Sequence, residues 1–209
     1  MALAKTGYTE KSAENFLIDA ATIFTDFKFD TTTKEFTGTP LGATQGGVEV
    51  NIELSYRKIE ADGAYIMDVQ GLNVLESATA TCKGNLLELT AENLARSMNA
   101  TLVNATAEEA PEGYKVIKPK RYLGSSDYIT SMAIVGIHSG SKKPIIFALD
   151  NGLVKSPLSI KTEDNKEAVI EQEITANASY EQLASDTFPW RIYYPGTPDT
   201  TPEEQGGNE

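Results

Sequence analysis

The chain has little of what most catalytic and metal-binding sites are made from. Its 209 residues include one cysteine (Cys82), one histidine (His138) and one tryptophan (Trp190). A single cysteine excludes an internal disulfide and suits folding in a reducing compartment. One histidine and one cysteine cannot supply the nitrogen and sulfur ligand sets that zinc-type centres need. Any histidine-based triad would have to run through His138, which ends an apolar stretch and has no G-x-S-x-G motif to serve. Acidic loops with EF-hand spacing are also missing. Basic charge is scarce: 18 Lys and Arg stand against 30 Asp and Glu, a net charge of -12. The general field therefore repels phosphate backbones. The one basic cluster, "KVIKPKRY" from Lys115 to Tyr122, reads as a solvated loop on an acidic protein. Long apolar runs are absent, since nothing approaches the roughly 20 residues that cross a bilayer. The opening "MALAKTGYTEKSAENF" lacks the apolar centre of a signal peptide. No metal, cofactor or membrane partner is expected.

What the chain does have is alternation. In "ENFLIDAATIFTDFKFD", Ile23, Thr25 and Phe27 alternate with Phe24, Asp26 and Lys28, which predicts a strand. From Val48 the pattern is strict. Val48, Val50, Ile52, Leu54 and Tyr56 take one face, and Glu49, Asn51, Glu53, Ser55 and Arg57 take the other. Between these strands, Thr31 to Gly47 ("TTTKEFTGTPLGATQGG") shows little periodicity over seventeen residues. That length predicts an extended glycine-rich arm or loop that is functional or partly disordered in isolation. Ala61-Asp62-Gly63 predicts a turn before a second strand in "AYIMDVQGLNVLESATATCK".

The period then changes. Thr90 is placed to cap a helix in "NLLELTAENLARSMNATL", with Leu94, Ala95, Met98 and Leu102 on one face. After the break at "APEG", "DYITSMAIVGIHSG" is apolar on both faces, as a central covered strand would be. Asp150-Asn151-Gly152 predicts a hairpin turn, with "LVKSPLSIK" returning and Pro157 marking an edge or bulge. In "KEAVIEQEITANASY", Ala168, Ile170, Ile174 and Ala176 share a face with Gln172 as the exception. Val169, Glu171, Glu173, Thr175 and Asn177 take the other face. "FPWRIYY" closes the ordered part. The acidic tail from 195 to 209 has no aliphatic or aromatic residue and is expected to be disordered. Many strands and one packed helix predict a mainly β domain over 1–194, a β-sandwich or partly closed barrel.

The pairs Glu49 with Glu53, and Glu171 with Glu173, put two carboxylates on one strand face. Paired acids serve glycoside hydrolysis, but same-face acids on strands are common without catalysis, and one tryptophan offers few sugar platforms. "GATQGG" lacks the Lys-Ser/Thr ending of a phosphate loop and precedes a strand rather than a helix. No enzyme is expected.

Two segments in order, "TGTPLGATQGGVEVNIELSYRKIEADGAY" and "VQGLNVLESATATCKGNLLELTAENLARSM", resemble the tail tube (major tail) proteins of long-tailed bacteriophages. The likeness is best from Phe16 to about Ala100, through the glycine-opened strand pair, the "G-x-x-V" strand, the threonine-rich strand and the "lTaeNLa"-type helix. The resemblance implies a fold related to the tube proteins of contractile injection machines. It implies hexameric rings stacked into a hollow tube in the virion, assembled in the host bacterial cytoplasm. The implied partners are other copies, a tape-measure protein and tail-end proteins, with DNA passing through without specific binding. Under that reading Glu49, Glu53, Glu171 and Glu173 line the lumen, where like charge denies phosphate a place to stick. The arm, through Phe36, Leu41, Gly42, Gly46 and Gly47, connects successive rings. The alternative from another class is a monomeric β-sandwich binding module of adhesin or carbohydrate-binding type.

Overall fold

A computed structural model describes residues 7–63 and 67–196 of the chain. Ten strands dominate it, and eight of them form one continuous hydrogen-bonded sheet, seven along a single path and the eighth paired beside it, that the strand β8 (Pro144–Val154) bends into two leaves. The first leaf runs β2 (Glu35–Pro40), β1 (Leu17–Asp30), β7 (Ile129–His138), β8 and β10 (Trp190–Tyr193). The second runs from the end of β8 through β9 (Ile170–Thr175) and β4 (Asn73–Leu86) to β3 (Thr44–Lys58). All pairings are antiparallel. A separate hairpin, β5 (Thr101–Asn104) with β6 (Lys115–Lys118), sits beside the helix α1 (Ala91–Ser97).

The leaves face each other over one apolar core. Ile23 from β1, Met132 and Ile134 from β7 and Leu149 from β8 meet Ala80, Cys82 and Leu86 from β4 and Ile170 and Ile174 from β9, all buried. Burying a side chain of this size is worth about 1.5–3 kcal/mol, so this layer holds the sandwich together. Gly84 on β4 lets the leaves close, because a Cβ there would lie 3.2 Å from Ile23 Cδ1. Cys82 is 1% exposed, and burial pushes its thiol up to about 12.

The strand expected in "ENFLIDAATIFTDFKFD" is present as β1, but it is bulged at Asp19 (φ 63°) and Asp26 (φ 52°). The second bulge flips the phase. Ile23 packs in the core, whereas Phe27 joins a second cluster with Ala133, Ile146 and Ala148 on the outer side of the first leaf. β7 is the central covered strand its composition predicts, with Met132, Ala133 and Ile134 no more than 2% exposed.

Three expectations are corrected. The segment 31–47 is not an irregular connection: β2 pairs with β1, and β3 already begins at Thr44. Threonine and glycine hide its strand character, which is supplied by Phe36 stacking on Phe27 with ring centroids 5.4 Å apart. Leu41, 7% exposed, also enters the core and donates its N–H to Ile23 O at 2.8 Å. Secondly, Asp150-Asn151-Gly152 is not a hairpin turn. It is where β8 passes from one leaf to the other, with Asn151 at φ 48° and the pairing moving from β7 to β9 at Leu153. A Cβ at Gly152 would meet Met132 Sδ at 2.8 Å and Ile174 Cγ2 at 2.9 Å, so glycine is required by packing. Asn151 and Asn177 exchange amide-to-carbonyl bonds of 3.1 and 2.9 Å that lock the corner. The returning strand expected in 153–161 is accordingly only the end of β8.

Thirdly, the helix is shorter than expected, and beside Leu94 and Ala95 of the expected face it buries polar residues. Thr90 caps α1 as expected, its Oγ1 accepting from Asn93 N at 3.1 Å. The helix stops at Ser97, its buried residues are Asn93, Ala95 and Ser97, and Leu102 belongs to β5. Two buried polar positions explain the exception at Gln172, which donates to Ser97 Oγ at 2.6 Å and to Asn93 O at 3.3 Å. A second helix, α2 (Tyr180–Ala184), went unanticipated because it buries no residue, although Ser179 and Gln182 form a capping box before it. The tail from 197 to 209 lies outside the described residues.

Candidate functional site

The chemistry-bearing feature that the fold assembles is the outer face of the second leaf. Strand register places Glu49 of β3 opposite Lys83 of β4, and Lys83 opposite Glu173 of β9. The neighbouring row is Gln45, Asn85 and Glu171; on the far side come Asn51 with Thr81, then Glu53 with Thr79. Directly paired residues share a face. Glu49, Glu53, Glu171 and Glu173 therefore all project on the side opposite the core, from strands about 4.8 Å apart. A double bulge at Gly46 (φ 81°) and Gly47 (φ 89°) starts the β3 alternation in the correct phase. Only glycine adopts those angles without strain.

Lys83 was not anticipated on this face. Its Nζ lies 3.3 Å from Glu173 Oε2, and both side chains are more than a third exposed, so the pair adds at most about 1 kcal/mol. Its sequence signal was available, because "TATCKG" puts Lys83 in phase with Thr79 and Thr81. Lys83 relieves repulsion between the glutamates on either side while leaving the face acidic.

Beyond the core the β3–β4 pair continues alone. β9 pairs with β4 only from Thr81 to Leu86, so residues 73–80 have β3 as their one strand partner. Ser55 and Ser77 hydroxyls meet across the ribbon at 2.7 Å, and Ile59 N–H reaches Leu72 O at 2.7 Å. On its core-side face Leu54, Tyr56 and Leu75 are 44%, 60% and 37% exposed. A two-stranded ribbon is marginal on its own in water, and this one has its apolar side uncovered.

The residues expected to form a connecting arm are held within the subunit. Leu41 is in the core, Gly42 backs onto Glu88, and Gly46 with Gly47 forms the bulge. Ala43 N–H donates to Glu88 Oε1 at 2.9 Å. Of that set only Phe36 keeps a large apolar surface, 39% exposed, on the other leaf.

The basic cluster is tied to carboxylates. Lys115 pairs with Glu92 at 2.7 Å, Lys118 with Glu109 at 2.8 Å, and Lys120 with Asp127. Hydrogen bonds from these lysines hold the three carboxyls below their ordinary values. Arg121 lies 5.3 Å over the Tyr122 ring. His138 is 8% exposed; its Nδ1 accepts from Ser141 N–H at 3.2 Å, and its Nε2 meets the Tyr194 hydroxyl at 3.0 Å. The ring thus ties the chain after β10 to the β7–β8 turn. Among the described residues no group of three or more His, Cys, Asp or Glu converges as a metal site, and no helix is long and apolar enough to cross a membrane.

No family model and no curated protein matches the chain. Among solved structures it is similar to a chain in the virion of a native gene transfer agent particle, at 13% identity over 76% of this chain and 92% of that one, with a TM-score of 0.37. A chain in the tail of an empty gene transfer agent particle, refined with C6 symmetry, gives the same identity and coverage at a TM-score of 0.38. A third, in the 6-fold symmetrised baseplate of the anti-feeding prophage, is 10% identical over 85% of this chain and 95% of that one, with a TM-score of 0.39. These chains come from a virion, a tail and a baseplate.

Proposed function

We propose that the chain is a structural virion protein that polymerises as stacked hexameric rings into a tail tube, with the acidic face of β3, β4 and β9 toward the lumen through which DNA passes. The observation that carries this reading is the shared placement of Glu49, Glu53, Glu171 and Glu173 on a long-stranded sheet whose terminal strand, β3, has no strand on its outer edge among the described residues. An open edge of fifteen residues is a liability in a lone subunit. Pairing it with the next subunit closes a barrel and removes it. The uncovered ribbon face at Leu54, Tyr56 and Leu75 supports assembly too, and makes the ribbon, rather than the segment 31–47, the contact between rings. The tape-measure protein would occupy the lumen before DNA, and tail-end proteins would meet the terminal rings. The rival reading, a monomeric carbohydrate-binding module, has the exposed Phe29 and Phe36 rings, with the half-buried Tyr193 beside Phe36, in its favour.

Sizing and negative staining of the purified chain test the reading. Rings or tubes are expected, and a 22.6 kDa species at high concentration under every salt condition would sink it. The lumen assignment is tested by Glu171→Lys with Glu173→Lys. Tubes should still form, and DNA passage should slow in a salt-sensitive manner. An unchanged rate at both low and high salt would place these acids elsewhere.

A further inference from the structure

Packing and backbone geometry together place a chemically labile dipeptide at the corner between the leaves. Residue 152 must be glycine, because a Cβ there would lie 2.8 Å from Met132 Sδ and 2.9 Å from Ile174 Cγ2. Residue 151 sits in the left-handed region at φ 48°, which asparagine tolerates better than most side chains. Its amide also closes the corner: Asn151 Nδ2 donates to Asn177 O at 3.1 Å, and Asn177 Nδ2 donates to Asn151 O at 2.9 Å. Together these demands produce the only Asn-Gly pair in the chain. In such a pair no side chain hinders the glycine nitrogen from attacking the preceding amide carbon. Exclusion of water does not protect the site, since an open cavity of about 350 Å³ has Asn151 and Asn177 in its wall, with Ser125 and Tyr128. Protection comes from fixed geometry. While Nδ2 is held on Asn177 O, the amide carbon is kept from swinging onto the nitrogen of Gly152, a buried residue in register with Ile129 of β7. An unfolded chain has neither restraint.

We infer that Asn151 is a deamidation site which folding protects, and that its products cannot rebuild the corner, so that the modification permanently marks chains left unfolded. The step needs only water. Gly152 N bonds to Asn151 Cγ, its proton departs with the amide nitrogen as ammonia, and a five-membered imide closes. Water then opens the ring at either carbonyl, which leaves aspartate or isoaspartate at position 151 with no change of oxidation state. Both products damage the corner. Aspartate puts a carboxylate oxygen where the amide donated, so two acceptors face each other at the Asn177 carbonyl. Isoaspartate also lengthens the main chain by a methylene, directly before a glycine that has no room even for a Cβ. Chemical modification of the unfolded state is a general route to irreversible unfolding, and here it holds for a single subunit, whatever the chain assembles into.

The test incubates the purified chain in mildly alkaline buffer, one sample native and one in guanidinium chloride. Mass spectrometry follows the tryptic peptide 143–155, and chromatography separates the two acids. The unfolded sample should convert at Asn151 at least about tenfold faster than the native one, which reacts only through opening of the corner. On dilution from denaturant the unmodified chains should refold, and the modified peptide should be found in the pool that stays unfolded. Asn151→Gly keeps the left-handed backbone without an amide, and should refold as well after long incubation as after short; should this variant fail to fold, the parent's own two pools decide the same point. Asn177→Ala loosens the clamp by removing the side-chain bonds to Asn151 O and Thr175 O, and should raise the native rate several-fold. A native chain converted as fast as the unfolded one would overturn the inference. So would modified chains that refold with the yield of unmodified ones, or an Asn177→Ala chain whose native rate stays the same.

Discussion

The outer faces of the two leaves invert each other. On the second leaf the face away from the core carries Glu49, Glu53, Glu171 and Glu173 around a single Lys83. On the first leaf the corresponding side carries Phe27, Phe29, Phe36 and Tyr193 over Ala133, Ile146 and Ala148. An antiparallel sheet with one solvated face normally alternates polar out and apolar in. The second leaf obeys that rule and the first breaks it. The difference follows from what covers each face: among the described residues β3, β4 and β9 have nothing over their acidic side, whereas the β1–β2 hairpin lies over the first leaf. One face is left to solvent, and the other is largely covered by the chain's own β1–β2 hairpin, which buries Phe27, Ala133, Ile146 and Ala148 and leaves Phe29 and Phe36 exposed.

The contrast is sharpest within one strand. Ile174 of β9 is 1% exposed in the core while Glu173 beside it faces outward. Ile174→Ala should cost about 2–5 kcal/mol, and Glu173→Ala about 0.5 kcal/mol or less, as read by urea unfolding. Comparable losses would mean that the acidic face is structural. Next in size is the joint between the leaves. Gly152→Ala forces a methyl against Met132 and Ile174 and should cost about 1–3 kcal/mol; an unchanged denaturation midpoint would show that the corner is looser than its contacts imply. Gln172→Leu removes the bonds to Ser97 and Asn93 but also a buried carbonyl oxygen that lacks a partner. The two effects oppose, so a net loss of about 1 kcal/mol is expected. A loss above about 3 kcal/mol would make this polar contact the main anchor of α1.

The smallest effect belongs to the flap of β5 and β6, which one ion pair, Lys115 with Glu92, ties to α1 while Lys118 with Glu109 closes its own loop. Glu92, Glu109 and Asp127 have their carboxyls lowered by hydrogen bonds from Lys115, Lys118 and Lys120. A depressed folded value means that the contribution is fully present above the ordinary carboxylate range, about pH 4, and is lost as pH falls through the depressed values. Hydrogen exchange in 101–118 should rise as the pH is taken below the ordinary carboxylate range, about pH 4, while β7 stays protected. Exchange that rises equally in both would deny the flap its separate attachment.

Much of the local structure was legible. The Thr90 cap, the covered β7 and the two-faced β3 are written within a few residues of themselves, because backbone geometry sets a period of two or 3.6 whatever lies nearby. Asn151-Gly152 was misleading for the opposite reason. Its letters suit a turn, yet glycine is there because Met132 and Ile174, distant in sequence, leave no room for a side chain. The segment 31–47 likewise looked structureless, since its order comes from Phe27, Ile23 and Glu88, none of which belongs to it.

By itself the sequence determined phase: which residues of β3 and β9 share a side, that the acids oppose the aliphatic positions, and that Gln172 interrupts an apolar row. Alternation is a property of one strand, and it survives without knowledge of any partner. Only the tertiary structure decided that β4 lies between β3 and β9, so that Glu49, Lys83 and Glu173 form one row. It also decided that the bulge at Asp26 turns the aromatic residues outward. Adjacency and facing depend on pairing between segments far apart in the chain, and periodicity carries no record of it.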